Sequence, residues 1–285
     1  MIGSVEEFQR KYRAMKQLGD GGYGTVYLCE HLDSGEQRAV KIMDDRRCTN
    51  RTFVPSLDRT LPNEIVLWQK VSHPNIVPLL EVYYDTDTKQ WCLVMKYDPD
   101  FVDLFEYASQ KGVLSDQEST NIVKQLVQVV NYLTLQEIDH RDLKDENMLY
   151  NPTTQQMKLI DFGAAAHLPS EPYTRYHGTD LYIPPEFYTT GQYFSSHGTV
   201  WSIGCLAFIL LTGNSPFESR EAITGFNTLE ELKPDLSATT PRLNFIRSCL
   251  KLSTTDRISL SDLSSHPWLN DSPLEIEIFG FRISI

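Results

Sequence analysis

Three oxygen-bearing side chains crowd one short stretch of this 285-residue chain: Asp142 and Asn147 in His140-Arg141-Asp142-Leu143-Lys144-Asp145-Glu146-Asn147, and Asp161 in Leu159-Ile160-Asp161-Phe162-Gly163. The turn-rich segment between them can bring them together, and the set suits a divalent metal and a polyanion. Asp142 can accept a proton from a hydroxyl nucleophile, Lys144 can neutralise phosphate charge, and Asn147 with Asp161 can offer hard oxygen ligands to Mg²⁺. Far upstream, Gly19-Asp20-Gly21-Gly22-Tyr23-Gly24-Thr25-Val26 spells GxGxxGxV. Before a helix this would be a dinucleotide fingerprint. Here β-prone residues follow, so the glycines belong to a hairpin, either one whose N–H groups fold over a triphosphate or a plain turn.

Strands and helices must hold these groups. From Tyr12 to about Met43 the residues alternate as strands do, with Val26, Leu28, Ala39, Val40 and Ile42 among the apolar members, which predicts an antiparallel sheet. Lys41 ends such a strand and needs an anion to fix its ammonium group. Glu64, at the start of an apolar helical stripe running to Trp68, is the leading candidate, with Glu81 and Glu30 as competitors; Trp68 then lies one turn on and faces the site. The stretch from Asp44 to Pro62, with Arg46, Arg47, Arg51 and Arg59, lacks periodicity and reads as an exposed loop. Val77 to Tyr84 and Trp91 to Met95 read as strands around the polar turn Asp85 to Thr88. Met95-Lys96-Tyr97-Asp98-Pro99 then breaks the β pattern, and the long segments beyond it are helical, including Phe101 to Gln110 and Ser115 to Leu135 with Ser115 as N-cap. Met148 to Tyr150 and Met157 to Ile160 predict two short strands, Val200 to Leu211 a buried core helix, and Leu274 to Ile278 a strand that docks on the domain or pairs with another chain.

With 41% apolar and 22% charged residues, the composition is that of a soluble globular protein. The net charge of -12 argues against nucleic-acid or anionic-membrane surfaces and for basic partners, although solubility alone also accounts for it. Cys29, Cys48, Cys92, Cys205 and Cys249 are scattered and form no CxxC pair, so they read as reduced thiols. No secretory signal is visible at Met1 to Glu7. The expectation is a cytoplasmic monomer, with the nucleus as a second compartment.

The wording HRDxKxxN followed by DFG resembles the eukaryotic protein kinases, and the resemblance runs from about Tyr12 to Leu269. Within them the chain is most similar to the Pim family, with the PAS-domain kinases next, through Val102-Asp103-Leu104-Phe105, Asp145-Glu146 and Pro184-Pro185-Glu186. The resemblance implies a two-lobed α+β fold: an antiparallel β-sheet N-lobe with one main helix over 1–95, a hinge at 96–100, a mainly helical C-lobe over 101–270 and a tail at 271–285. It implies a serine/threonine kinase that transfers the γ-phosphate of ATP, with Mg²⁺, to protein substrates; Lys144 marks the Ser/Thr type. Lys41, held by Glu64, would grip the α- and β-phosphates. Leu18, Gly19, Gly21, Gly24, Val26, Ala39 and Leu149 would enclose the nucleotide, with Met95 at the back of the pocket and Lys96 and Asp98 at the hinge. Asn147 and Asp161 would hold metal, and Asp142 would orient the substrate hydroxyl.

Pim-type enzymes prefer arginines before the phosphorylated residue. Asp103, Glu106, Asp145 and Glu146 stand where these would bind, unless they are merely solvated or helix-capping acids. Glu186 needs a buried cation, and Arg257 occupies the family's position for it. Thr199 stands where kinases generally have Asp; Pim kinases lack that Asp too. Pim kinases also have a hinge proline where Asp98 sits, so two ordinary hinge bonds are expected here. Arg141 would usually receive a phosphate from the activation segment, but Arg175 occupies the customary position, leaving Thr174, Tyr173 and Tyr176 as candidate phosphosites. The resemblance implies a segment ordered without obligatory phosphorylation. The rival reading is a binding scaffold of the same fold without turnover.

Overall fold

The computed structural model describes residues 2–21, 24–225, 240–270, 275–278 and 281–284. Gly22 and Tyr23 of the glycine hairpin, and 271–274, 279–280 and 285 of the tail, lie outside the described residues. The N-terminal part is a six-stranded sheet in the order β1-β7-β8-β4-β3-β2, from β1 (Ile2–Ser4), β2 (Tyr12–Gly21), β3 (Gly24–His31), β4 (Gln37–Asp44), β7 (Leu79–Asp85) and β8 (Gln90–Lys96). All its pairings are antiparallel except β1 on β7. Strand β8 lies between β4 and β7 with both faces covered, which is why Trp91 to Met95 form an unbroken apolar run and are all buried.

Each sheet face has its own core. Trp91, Leu93 and Met95 join the large core, which continues under helix α2 (Asn63–Trp68) into the C-terminal half. Cys92 and Val94 face the other way, into a smaller cluster with Tyr12, Cys29, Val40 and Tyr83. Helix α1 (Val5–Lys11) closes this second face: Phe8 stacks on Tyr12 at 5.2 Å and meets Tyr83 edge-on at 5.5 Å. Sequence reasoning starts the fold at Tyr12 and misses β1 and α1, although Ser4 and Glu7 form a reciprocal capping box.

The arginine-containing stretch is not an unstructured loop. Arg51–Val54 (β5) and Arg59–Pro62 (β6) pair as a hairpin, turned by a 3₁₀ segment with Asp58 in the left-handed region. Its arginines are largely engaged: Arg46 with Asp44, Arg51 with Asp45, and Arg59 over the rings of Tyr84 and Trp91. Strands of four residues with outward charges show no periodicity in the sequence.

The C-terminal half is mainly helical: α3 (Leu104–Lys111), α4 (Asp116–Leu135), α5 (Pro185–Thr190), α6 (Ser195–Thr212) and α7 (Arg220–Gly225), then the helices Pro241–Cys249, Leu260–Leu263 and Pro267–Asn270. Ser115 and Glu118 make the capping box of α4, which buries Ile122, Val123, Leu126, Val129, Val130 and Leu133. By length and composition, α6 alone among the described helices could cross a membrane; it is a core helix with Trp201, Ile203, Leu206 and Phe208 fully enclosed. A small sheet of β9 (Val102–Asp103), β11 (Met148–Asn151) and β12 (Gln156–Leu159), and the short ladder of β10 (Ile138–Asp139) with β13 (Ala166–His167), flank the segment that carries the chemistry. In the tail, Glu275–Ile278 pairs with Phe281–Ser284. The five cysteines are free thiols.

Candidate active site

Strand β4 and helix α2 place the first pair. Lys41 Nζ donates to Glu64 Oε1 at 2.7 Å and to Asp161 Oδ1 at 2.8 Å, with Lys41 only 4% exposed. Burial works against the ammonium, but the two carboxylates outweigh it and hold its pKa above the ordinary value, so the lysine stays charged. Burial pushes the Glu64 carboxyl up, against the pull of Lys41. Asp161 is half-buried, which works against its charge, yet Lys41 and the Gly163 N–H, which donates to Oδ1 at 2.9 Å, keep it below the usual carboxylate range. The competing carboxylates lie elsewhere: Glu81 takes Lys11 and the Tyr12 hydroxyl, and Glu30 takes Arg13.

Trp68 does face the site. Its ring stacks on Phe162 at 5.4 Å, and its Nε1 donates to the Val77 carbonyl at 2.8 Å. The Val77 N–H in turn donates to the Leu159 carbonyl at 3.0 Å. Helix α2 and the strand leading to Asp161 are thus tied through one another, which fixes Glu64 against Asp161.

The second cluster sits on the loop between β10 and β11. Asn147 Nδ2 donates to the Asp142 carbonyl at 2.8 Å and to its Oδ2 at 2.9 Å, so the Asn147 amide oxygen is turned from the loop interior. Thr179 Oγ1 accepts from Lys144 Nζ at 2.7 Å and donates to Asp142 Oδ1 at 3.3 Å. Thr179 is a site residue that the sequence reading does not single out; its place after Gly178 is the available signal. Gly178 has φ +137°, and a Cβ there would lie 2.8 Å from the Arg141 carbonyl oxygen, so the segment approaches the loop this closely only as glycine. Among the described residues no three His, Cys, Asp or Glu side chains converge on a metal site. One carboxylate and one amide oxygen nevertheless fit Mg²⁺, which takes its other ligands from water and phosphates.

A base could sit between the sheet and β11. Val26, Ala39 and Leu149 are half-buried against the large core, Met95 is buried behind them, and Leu18 is exposed at the lip. At the chain crossing, the Lys96 N–H is taken by the Pro78 carbonyl and the Asp98 carbonyl by the Phe101 N–H. The Asp98 N–H meets no acceptor among the described residues. Of the glycines, Gly24 is held at φ +137° beneath the Ile42 carbonyl, whereas Gly19 and Gly21 lie open.

Residues 12–269 match the protein kinase domain family. The chain belongs to the protein kinase family. It is 30% identical to the serine/threonine-protein kinase pim-2 of Danio rerio over 95% of this chain and 88% of that protein. It is 29% identical to the serine/threonine-protein kinase prk-2 of Caenorhabditis elegans and 31% to the probable serine/threonine-protein kinase fhkD of Dictyostelium discoideum, covering 60% and 38% of their lengths. The fold is the α+β protein kinase fold, the chain is a protein serine/threonine kinase, and the fold implies use of ATP and a divalent metal.

In this kinase the activation segment is anchored at its end by Arg257, whose Nη1 and Nη2 donate to Glu186 at 2.9 and 2.8 Å. Of the three candidate phosphosites only Thr174 is exposed. The Tyr173 ring lies under the Arg141 guanidinium at 5.1 Å with its hydroxyl buried, and the Tyr176 hydroxyl donates to the Thr179 carbonyl at 3.3 Å. Ring packing turns both phenols inward, which sequence cannot reveal. Of the four candidate substrate acids, Glu106 and Glu146 are exposed, and Asp103 caps α3 by accepting from the Glu106 N–H. Asp145 does not reach the surface: it lies on the inner side of the turn Asp145–Asn147 and accepts from the Tyr182 hydroxyl at 3.4 Å. Burial raises both Asp103 and Asp145, and the charge of Glu146 adds to both shifts.

Proposed function

We propose that this kinase is of the Pim kind, phosphorylates serine or threonine in arginine-rich protein segments, and needs no phosphate on its activation segment. The observation that carries the reading is the closed chain of contacts Glu64–Lys41–Asp161 and Lys144–Thr179–Asp142, formed while Arg141 is occupied by the Tyr173 ring and by the Ala164 carbonyl at 2.6 Å from its Nε. A divalent cation at Asn147 and Asp161 would neutralise phosphate charge. Lys41 binds the α- and β-phosphates, the Asp98 N–H receives the adenine edge, and Val26, Ala39 and Leu149 exclude water from the base. Asp142 orients the substrate hydroxyl and takes its proton, while Lys144 steadies the transferring group; the rate comes from positioning and electrostatics. Asp103, raised by burial and by the neighbouring charges of Glu106 and Glu146, forms with these two exposed acids an anionic group that suits a guanidinium, which supports a basic substrate; Asp145, buried against Tyr182, is not part of it. We further propose a cytoplasmic or nuclear monomer that binds neither nucleic acid nor membrane, in keeping with its charge of -12.

The test is transfer from Mg·ATP to an arginine-rich serine peptide by unmodified protein beside its Asp142→Asn variant. Transfer by the parent and its loss by about 10²–10⁴-fold in the variant is expected. Turnover of an acidic peptide as fast as the basic one would remove the substrate class, and silence until Thr174 is phosphorylated would remove the claim of independence.

A further inference from the structure

Asp139 has no part in the chemistry above, yet it is a carboxylate only 6% exposed, one residue before His140. Burying a carboxylate costs several kcal/mol unless charges and donors compensate it, on the order of the penalty for a buried ion. The compensating groups come from separate elements. The Ser195 hydroxyl faces it from the start of α6, the guanidinium of Arg141 from the catalytic loop, and the Tyr173 hydroxyl from the activation segment; Ser195 and Arg141 line a cavity together with it. Burial still wins and pushes the Asp139 carboxyl above its ordinary value.

Two cavities meet at this point. One, of about 60 Å³, is lined by Asp139, His140, Ser195 and Thr199; the other by Asp139, Arg141, Tyr193, Ser195 and Thr199. Among the described residues Asp139 is the only carboxylate in either lining, because α6 contributes serines, Gly198 and Thr199 there. The surroundings need a tether. Arg141 holds φ +65°, a left-handed conformation that a non-glycine residue keeps only when its neighbours enforce it. The Tyr173 main chain is bridged to Tyr193 at 2.8 and 3.1 Å, its ring underlies Arg141, and its buried hydroxyl, on the Asp139 side, has no hydrogen-bond partner among the described residues.

We propose that Asp139 is a positioning residue for phosphoryl transfer, its buried carboxylate joining the strained catalytic loop at Arg141 to the activation segment at Tyr173 and to α6 at Ser195, so that Asp142 meets Thr179 without help from a phosphate. This rests on the reading of the site as a kinase that works unphosphorylated. Asp139 touches neither nucleotide nor substrate; it acts through Arg141 and Tyr173.

The experiment compares the full chain with Asp139→Leu, Asp139→Asn, Tyr173→Phe and the double variant Asp139→Leu/Thr199→Asp. It measures kcat and KM for Mg·ATP and peptide, and amide hydrogen exchange at Tyr173 and Tyr193. Asp139→Leu should lose about tenfold or more in kcat, as a small misplacement of a reacting group does, with KM for ATP held within about twofold because Lys41, Glu64 and Asp161 are untouched. Exchange at Tyr173 should quicken in that variant, Asp139→Asn and Tyr173→Phe should show smaller losses in the same direction, and Thr199→Asp should restore part of the kcat by returning a carboxylate to the shared cavity. If Asp139→Leu does not fold, the Asn and Phe variants decide. Unchanged kcat and unchanged protection in these variants overturn the proposal, as does a kcat loss that is matched by KM for ATP. A parent that transfers no phosphate would instead sink the function proposed above; exchange at Tyr173 would then still judge Asp139, and protection equal to the parent's would refute it.

Discussion

Replacing Arg257 with methionine should destabilise this kinase far more than its distance from the chemistry suggests. The guanidinium is fully enclosed, with side-chain exposure 0%, and its partner Glu186 retains only 12%. Besides the two bonds to Glu186, Nη1 donates to the His197 carbonyl at 2.9 Å and Nε to the Lys251 carbonyl at 3.0 Å, and the group lies 5.1 Å from the Trp201 ring. Summing these contacts would overshoot, because water competes for every donor in the unfolded chain. What matters is what the substitution leaves behind, a largely buried carboxylate and two carbonyls without donors, and removing one member of such a pair costs about 3–5 kcal/mol. For a domain this large each kcal/mol lowers Tm by roughly 2–4 °C, so the melt should fall by about 6–20 °C. Glu186→Leu should cost a similar amount by stranding the guanidinium. The double variant Glu186→Leu/Arg257→Met should cost less than the two added together, by about 1–3 kcal/mol, since each single change carries the penalty of an unpaired charge. Calorimetry and urea unfolding of all four proteins measure the cycle. A Tm within about 2 °C of the parent for Arg257→Met, or strict additivity in the double variant, would refute the reasoning.

Gly178→Ala forces a Cβ to 2.8 Å from the Arg141 carbonyl and 3.3 Å from Asp142 Oδ1, so kcat should drop by about 10²-fold while a fluorescent ATP analogue still binds. Burial favours the protonated form of Glu118, but Lys111, Ser115 and Tyr107 outweigh it and hold its pKa at about 2, against 4.5 for the free group. The depressed value means stabilisation that is present above pH 4.5 and lost as pH falls toward 2. Glu118→Gln should therefore lower stability by about 1–2 kcal/mol at pH 7 and by little at pH 2, read from urea midpoints at both. Neutralising the exposed acids as Glu106→Gln/Glu146→Gln should raise KM for an arginine-rich peptide about fivefold to tenfold with kcat unchanged, an effect that added salt should shrink in the parent.

The catalytic cluster was legible because chemistry restricts residue types: few side chains can replace Asp142, Asn147 and Asp161, and their order survives in the chain. Lys41 with Glu64 was legible for a related reason, since a buried ammonium demands a carboxylate and the start of α2 offers one. Helix α4 announces itself through the Ser115 and Glu118 box and its apolar stripe. Contacts between distant segments were hidden. Nothing in Ile2–Ser4 says that it will pair in parallel with Val82–Tyr84, and nothing in Thr52 or Phe53 reveals a hairpin whose outward residues are mostly polar. Whether a phenol is offered to a partner enzyme or packed beneath an arginine, as at Tyr173, depends on packing that local patterns do not encode. Asp145 differs from its neighbour Glu146 only in which side of one tight turn it occupies.

The parallel strand Ile2–Ser4 also covers what would otherwise be an open edge of the sheet. Without Ile2–Ser4, β7 would be the outermost strand of a six-strand sheet reduced to five, and the main-chain groups of Val82 to Tyr84 would form an open template for pairing with a second molecule. Ile2–Ser4 thus reduces the open edge on that side to a strand of three residues, and removing residues 2–11 would uncover Val82 to Tyr84 together with the aromatic cluster that Phe8 covers.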